Sequence, residues 1–197
     1  RATEKAKDLI RMAVAKARLL KPQEEPEIAV APSALVIGGG ISGMTAALCL
    51  ADQGFKVHIV EKEPKLGGML RNLYKLYPTL EDASEVLEPI IKAVRSNENI
   101  AVLTAAVVKK VEGFIGNFKV TVERENRENV NFDVGTIIVA TGAVNFEPFG
   151  MYGYGQNDKV ITQLQLEQLL RAGQLKSPER VVMIQCVGAR EEGGRTY

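Results

Sequence analysis

Apolar residues recur along this chain with two different periods, and the switches between them mark its units. From Thr3 to Leu20 the apolar positions Ala6, Leu9, Ile10, Ala13, Val14, Ala17 and Leu20 repeat at helical spacing, with Lys5, Arg11, Lys16 and Arg18 on other faces. The pattern predicts an amphipathic helix over residues 1–21. Its apolar face is Ala-rich and has no aromatic residue, which suits docking on protein better than lying on a membrane surface. Pro22, Pro26 and Pro32 then punctuate an acidic stretch, predicting an extended linker over 22–32 and a folded body that starts near Ser33.

Within the body, Leu35 to Ile37 reads as a short buried strand and Ile41 to Gln53 as a helix closed by Gly54. Lys56 to Val60 reads as a second strand, parallel to the first. Cys49 is expected as a small core residue of that helix and His58 as a satisfied edge or core residue. Asp82 with Glu85 suggests a helix cap, and Val86, Leu87, Ile90, Ile91 and Val94 follow at helical spacing. Pro89 interrupts them, so either two short helices abut there or one helix kinks. From Ile100 the period changes to two. Ile100 to Leu103, Val107 to Val111, Phe118 to Val122 and Val130 to Val134 predict a β-meander inserted into an α/β domain. Thr136 to Ala143 closes it as a buried strand. Thr162 with Gln165 forms a capping box for a helix running to Gly173, and Val181 to Val187 reads as a last strand.

The first strand runs into Gly38-Gly39-Gly40-Ile41-Ser42-Gly43, and the second ends at Glu61. This joins the spacing G-x-G-x-x-G to a strand, a helix and a distal acid, the fingerprint of a dinucleotide site. Gly38 is expected to permit the tight turn, Gly40 to let the backbone approach a pyrophosphate, and Gly43 to let helix and strand lie close. The phosphates would rest on unpaired N–H groups at the helix start, where the macrodipole favours negative charge. Glu61 is placed to accept hydroxyl hydrogens of an adenosine ribose and to repel a 2′-phosphate, so FAD or NAD fits better than NADP. Within ten residues follows the turn Leu66-Gly67-Gly68-Met69, where glycine leaves room for a chain crossing the phosphate face.

Composition narrows the class. The net charge of +1 conceals seven Lys/Arg against two acids in residues 1–21, which leaves the body slightly acidic with 6% aromatic residues over the chain. Nucleic-acid binding is therefore discounted. No apolar run is long enough to span a bilayer and no signal peptide is evident, so a cytoplasmic protein without membrane insertion is expected. Cys49 and Cys186 lie far apart without C-x-x-C spacing, so neither a disulfide framework nor a complete metal site is legible. The chain begins with Arg and stops at Gly193-Gly194-Arg195-Thr196-Tyr197, and is read as a piece of a longer polypeptide.

The glycine fingerprint, Glu61, the Leu66-Gly67-Gly68 turn, the meander and a strand ending Ala140-Thr141-Gly142, in that order, resemble the two-dinucleotide-binding-domain flavoproteins of the thioredoxin-reductase type. Residues 2–17 before the glycines and Val182-Met183-Ile184-Gln185-Cys186-Val187-Gly188 after them narrow the resemblance to the family of the heterodisulfide reductase A-type subunit, an iron-sulfur flavoprotein, over almost the whole chain. The resemblance implies a Rossmann-like FAD-binding domain over 33–148, and a connection with the first strand of a second nucleotide-binding fold over 149–197. It places the cofactor on Gly38, Gly40, Ile41, Ser42, Gly43, Glu61, Lys62, Gly68, Met69, Ala140, Thr141 and Gly142. It also puts the adenine near Ala106 and Val107. Arg71 and Asn72 are candidates for the isoalloxazine end, with a solvated loop charge the alternative for Arg71.

The same resemblance implies 4Fe-4S clusters in the full-length protein only, with Cys186 either one ligand of such a cluster or a buried structural thiol. It implies partners among other reductase subunits and an electron-donating hydrogenase or dehydrogenase subunit. In the superfamily a later segment of chain completes the flavin site, so this piece alone is expected to be inactive and either to bind the adenosine end in a half-open site or to bind nothing. No catalytic acid, base or nucleophile is legible. The competing readings are a pyridine-nucleotide-dependent disulfide reductase and a non-catalytic nucleotide-binding scaffold module. The missing C-x-x-C and the missing second glycine fingerprint weigh against the disulfide reductase.

Overall fold

Alternate side chains of β1 (Ser33–Ile37) enter two different cores, which sets the layering of the molecule. In this computed structural model, which describes residues 1–189 except 23, 24, 26, 126, 176 and 179, β1 is an inner strand of a parallel sheet. Leu35 points to one face and Val36 to the other, both fully buried. β2 (Lys56–Val60) flanks β1 on one side and β7 (Thr136–Val139) on the other, with Ala34 level with both Val57 and Thr136. β3 (Ile100–Leu103) lies beyond β2, giving the order β3-β2-β1-β7.

On the Val36 face pack α2 (Ile41–Asp52) and α3 (Ala83–Ser96), through Met44, Ala47, Leu87 and Val94. On the Leu35 face lies a three-stranded antiparallel meander, β4 (Ala106–Phe114), β5 (Asn117–Arg124) and β6 (Arg127–Val134), whose Val120, Val122 and Val134 fill the second core. The meander thus has three strands, not four. Ile100–Leu103 instead joins the parallel sheet, because its backbone pairs with β2 and buried Ile100 belongs to the helix-side core.

Other expectations are corrected in detail. α2 buries Gly43, Met44, Ala47 and Ala51, and at about 100° per residue Cys49 falls on the opposite face, where it is exposed rather than core. α3 is one helix with Pro89 inside it. Its cap is Asp82, which accepts from the Ser84 N–H at 2.9 Å and the Ser84 hydroxyl at 2.6 Å instead of pairing with Glu85. β7 is half-buried, with Val139 exposed, since it forms the outer edge of the sheet. The end of the linker is fastened to the body: the Ala31 N–H donates to Gly116 C=O at 2.9 Å and Asn117 Nδ2 donates to Ala29 C=O at 2.7 Å.

α1 (Ala2–Leu19) forms as expected, but every residue of it is exposed, so its apolar stripe meets no surface among the described residues. α4 (Gln163–Arg171) carries the full capping box, with the Gln165 N–H donating to Thr162 Oγ1 and the Thr162 N–H donating to Gln165 Oε1. Residues 181–185 form no strand, and Val181 and Val182 are exposed. A strand needs a ladder, and this stretch has no partner among the described residues.

His58, half-buried on the meander side of β2, stacks on Phe132 with ring centroids 4.0 Å apart. Burial lowers its pKa from the ordinary 6.5. The unfolded chain therefore takes up a proton as the pH falls through 6.5 while the folded chain resists it. Stability is full above that pH, declines below it, and levels off beneath the folded pKa. Melting at pH 7.5 and pH 5.5 is expected to show a fall in the native chain that exceeds the fall in His58→Phe (test conditions, roughly one unit either side of an unperturbed imidazole). Equal falls would remove His58 as the source.

Candidate functional site

The turn from β1 into α2 is built so tightly that a side chain on Gly38, Gly39 or Gly43 would collide with a different neighbour in each case. Gly38 takes φ +109°, and a Cβ there would stand 2.2 Å from the Ala140 carbonyl oxygen. Its N–H donates to Val60 C=O at 2.8 Å, tying the turn to the end of β2. A Cβ on Gly43 would stand 2.0 Å from the Gly38 carbonyl oxygen and 3.1 Å from Val36 Cγ1, so this glycine is what lets α2 lie against β1. Gly40 differs: the nearest atom to its missing Cβ is Gly68 Cα at 4.0 Å. That leaves an open cleft at the N-terminus of α2, lined by backbone.

Glu61 directly follows β2 and is a buried charged residue, only 6% exposed. One carboxylate oxygen accepts from the Gly39 N–H at 2.5 Å and the other from the Glu63 N–H at 2.8 Å. Each carboxylate oxygen has two acceptor sites, so these bonds hold the group in place while leaving capacity for further donors. Gly39 is a site residue the fingerprint alone did not single out. A Cβ on it would stand 2.4 Å from Leu66 Cδ2 and 3.1 Å from Glu61 Oε2. The signal was the unbroken run of three glycines, of which the motif requires two.

Leu66 is buried against this glycine, and the Gly67 N–H donates to Gly39 C=O at 2.8 Å. A 3₁₀ turn over Gly68–Asn72 follows, starting beside Gly40. The Gly67-Gly68 turn therefore crosses the face of the glycine loop as expected. Lys62, Gly68 and Met69 are exposed beside it, and Asn145 Nδ2 approaches Met69 Sδ at 3.9 Å. Ala140 backs the loop, with its N–H donating to Ile37 C=O at 2.8 Å, while Thr141 and Gly142 are exposed beyond the end of β7. Ile41 and Ser42 open α2.

On the other side of Glu61 the meander comes close. The Ala106 N–H donates to Glu61 C=O at 3.0 Å, and a pocket of about 380 Å³ is lined by Lys62, Ala105, Val107 and Arg124 together with Glu123 and Glu125. Arg124 was not anticipated. Its Nε is buried without a hydrogen-bond partner, and no local motif announces a residue that reaches the pocket from the neighbouring strand.

Arg71 and Asn72 are exposed, and the stem of Arg71 packs over Gly67. Cys186 is exposed in this chain. Among the described residues there is no cluster of three or more potential metal ligands. Among the described residues no helix is long and apolar enough to cross a membrane.

A parallel sheet whose first strand turns through glycines into a helix, with an acid at the end of the second strand, is a Rossmann-like α/β domain. Residues 32–188 match the family described as pyridine nucleotide-disulphide oxidoreductase, and the chain belongs to that family. Along its whole length it is 36% identical to the A-type subunit of the H(2):CoB-CoM heterodisulfide,ferredoxin reductase of Methanothermobacter marburgensis, covering 43% of that protein. It is 35% identical to an iron-sulfur A-type subunit of the CoB--CoM heterodisulfide reductase of Methanopyrus kandleri, covering 44% of it. A stretch of 136 residues, 69% of the chain and 19% of the relative, is 46% identical to an Archaeoglobus profundus protein that is itself described as like the heterodisulfide reductase A-type subunit.

The chain thus spans less than half the length of these relatives. The first match runs over 285 positions against 197 residues here, so that relative carries segments within the matched span that this chain lacks. Among solved structures, L-proline dehydrogenase from P. horikoshii superposes with TM-score 0.52 at 27% identity, over 64% of this chain and 25% of that one. Thioredoxin reductase from Lactococcus lactis superposes with TM-score 0.50 at 24% identity, over 62% of this chain and 40% of that one, and shares the fold.

Proposed function

We propose that this chain is the FAD-binding part of an electron-transfer oxidoreductase subunit related to the A-type subunit of heterodisulfide reductase. The observation that carries the reading is the buried Glu61 carboxylate, pinned by Gly39 and Glu63, beside a glycine cleft that stays open only at Gly40. A diphosphate fits that cleft because it meets backbone alone, at a helix start whose first N–H groups lack partners within the helix. Gly38, Gly40, Ile41, Ser42 and Gly43 would hold the pyrophosphate and Glu61 the ribose. Lys62, Val107 and Arg124 would enclose the adenine in the adjoining pocket. Gly68, Met69, Ala140, Thr141 and Gly142 would line the way to the isoalloxazine. When bound, the flavin supplies the redox chemistry, and the polypeptide binds, orients and shields it.

The relatives' names support a wider reading in which the complete protein works in a complex with other reductase subunits and a hydrogenase or dehydrogenase. In that reading residues 33–148 are the flavin domain and 149–197 lead into a second nucleotide-binding fold. Cys186 would be one thiolate of a 4Fe-4S cluster. Such a cluster takes four ligands, and the described residues contain no group of three or more that could hold a metal, so the others would come from elsewhere in the complete protein.

Full-length protein is expected to carry FAD through gel filtration, with a flavin spectrum that dithionite bleaches. Protein that neither retains nor takes up FAD refutes the reading. A sharper check is Gly40→Ala. Gly40 has ordinary extended backbone angles, φ −75° and ψ −179°, and free space around its missing Cβ. Its stability is expected to stay within about 0.5 kcal/mol of the parent. FAD affinity should nevertheless fall at least about tenfold as the methyl enters the diphosphate cleft, which corresponds to about 1.4 kcal/mol. Flavin fluorescence titration beside urea unfolding separates the two effects.

A further inference from the structure

The turn that faces the glycine loop is held from outside the Rossmann unit. Three hydrogen bonds run from α4 to residues 71–74, some 90 to 100 positions earlier in the chain. Glu167 Oε2 accepts from the Tyr74 N–H at 2.7 Å. The Arg171 guanidinium donates to Arg71 C=O at 3.2 Å through Nη1, and to Leu73 C=O through Nη2. The two side chains sit four residues apart on one face of a helix whose start is secured by its own capping box. One face of α4 therefore supplies an acceptor for one backbone N–H and donors for two backbone carbonyls of a single short segment.

That segment is in contact with the proposed phosphate cleft. The Cγ and Cδ atoms of Arg71 lie 2.6 and 2.9 Å from where a Cβ on Gly67 would stand, so the arginine stem rests on this glycine. Gly67 in turn donates its N–H to Gly39, and Gly68 lies against Gly40. A continuous path of contacts thus leads from α4 through residues 71–74 to the glycine pair and on to the loop carrying Gly39 and Gly40. Without α4, the carbonyls of Arg71 and Leu73 and the N–H of Tyr74 lose these partners. The 3₁₀ turn Gly68–Asn72 has no fully buried residue: its Leu70 packs half-buried against the helix-side core, and these main-chain groups of residues 71–74 depend on the α4 side chains.

We propose that Glu167 and Arg171 are positioning residues for the cofactor: they clamp residues 71–74 and so keep the Gly67-Gly68 turn against the glycine loop. The inference rests on the flavin reading for its consequence but not for its geometry. Because α4 belongs to the stretch that follows β7, the clamp makes the shape of the cleft depend on where that stretch sits.

The test uses full-length protein with Glu167→Ala, Arg171→Ala and the conservative pair Glu167→Gln and Arg171→Lys. Two quantities are measured: hydrogen exchange of the peptide covering residues 66–76, and FAD affinity by fluorescence titration. Both alanine variants are expected to exchange at least tenfold faster in that peptide and to bind FAD at least tenfold more weakly, with unchanged global melting. Glu167→Gln keeps a carbonyl oxygen for the Tyr74 N–H and is expected to restore both, and Arg171→Lys to restore them in part. Unchanged exchange in both alanine variants overturns the clamp. Faster exchange with unaltered FAD affinity overturns its role toward the cofactor. Parent protein that binds no flavin overturns the flavin reading instead, and hydrogen exchange alone then decides the clamp.

Discussion

Gly43→Ala is expected to be among the most damaging single methyl additions in this chain. The new Cβ would stand 2.0 Å from the Gly38 carbonyl oxygen, a backbone atom that a rotamer change cannot move. Either α2 backs away from β1 or the glycine loop distorts. Retreat opens the core around Val36, Met44 and Ala47, each of which is fully buried. Overpacking of this kind costs about 1–3 kcal/mol when side chains can yield, and more when the obstacle is main chain. A loss of about 3 kcal/mol or more is expected, a large fraction of a small domain's stability. Urea unfolding of purified variant and parent measures it. A variant within about 0.5 kcal/mol of the parent, the scatter typical of neutral surface changes, would show that the helix and strand do not meet as described.

Glu61→Gln carries the second large effect, and it acts on folding and binding together. The carboxylate accepts one N–H at each oxygen, from Gly39 and from Glu63. A glutamine of the same shape replaces one acceptor with an NH₂ group that faces a donor, at a site only 6% exposed. Hydrogen bonds to a charged group are worth about 1.5–3 kcal/mol, and a buried unpaired donor costs a similar amount. The substitution is therefore expected to lower stability by about 2–3 kcal/mol. It should also lower FAD affinity by about 10- to 100-fold, because the charge proposed to hold the ribose is gone. Glu61→Asp keeps the charge but shortens the reach, and should fall between the two. Parent-like FAD affinity in Glu61→Gln, measured where the variant is fully folded, would detach this acid from the ligand and with it the proposed cofactor site.

The same carboxylate explains why the distal acid matters even without a ligand. It joins the end of β2 to the middle of the glycine loop, while the Gly38 N–H joins the start of that loop to Val60. The cleft is thus shaped before any dinucleotide arrives, which lowers the ordering cost of binding. On the meander side, Ala106 is fastened to the Glu61 main chain, so the proposed adenine pocket and ribose acid move as one unit.

Local pattern was enough wherever short-range sterics or periodicity decide the outcome. The strand, glycine turn, helix and second strand from Ser33 to Val60 formed close to the expected bounds, because alternation, glycine spacing and the Gly54 terminus all act within a few residues. The Thr162–Gln165 capping box is local in the same way. Errors arose where a residue's surroundings come from distant segments. Cys49 reads as apolar, but the phase of α2 against the sheet turns it outward. Ile100–Leu103 has a strand composition that suits either sheet, and only pairing with β2 assigns it. Val181–Val187 has the composition of a strand but no neighbouring ladder among the described residues.

The sequence by itself determined the dinucleotide-type turn, its acid and the class of fold, because glycine at an obstructed position and an acid at a strand end are written in residue types a short distance apart. Tertiary structure alone decided that Gly39 must also lack a side chain, that Arg124 reaches the pocket from the next strand, and that Glu167 and Arg171 grip residues 71–74. Those contacts join segments separated by tens of residues, and their geometry exists only once two sheets and a late helix have closed around the loop.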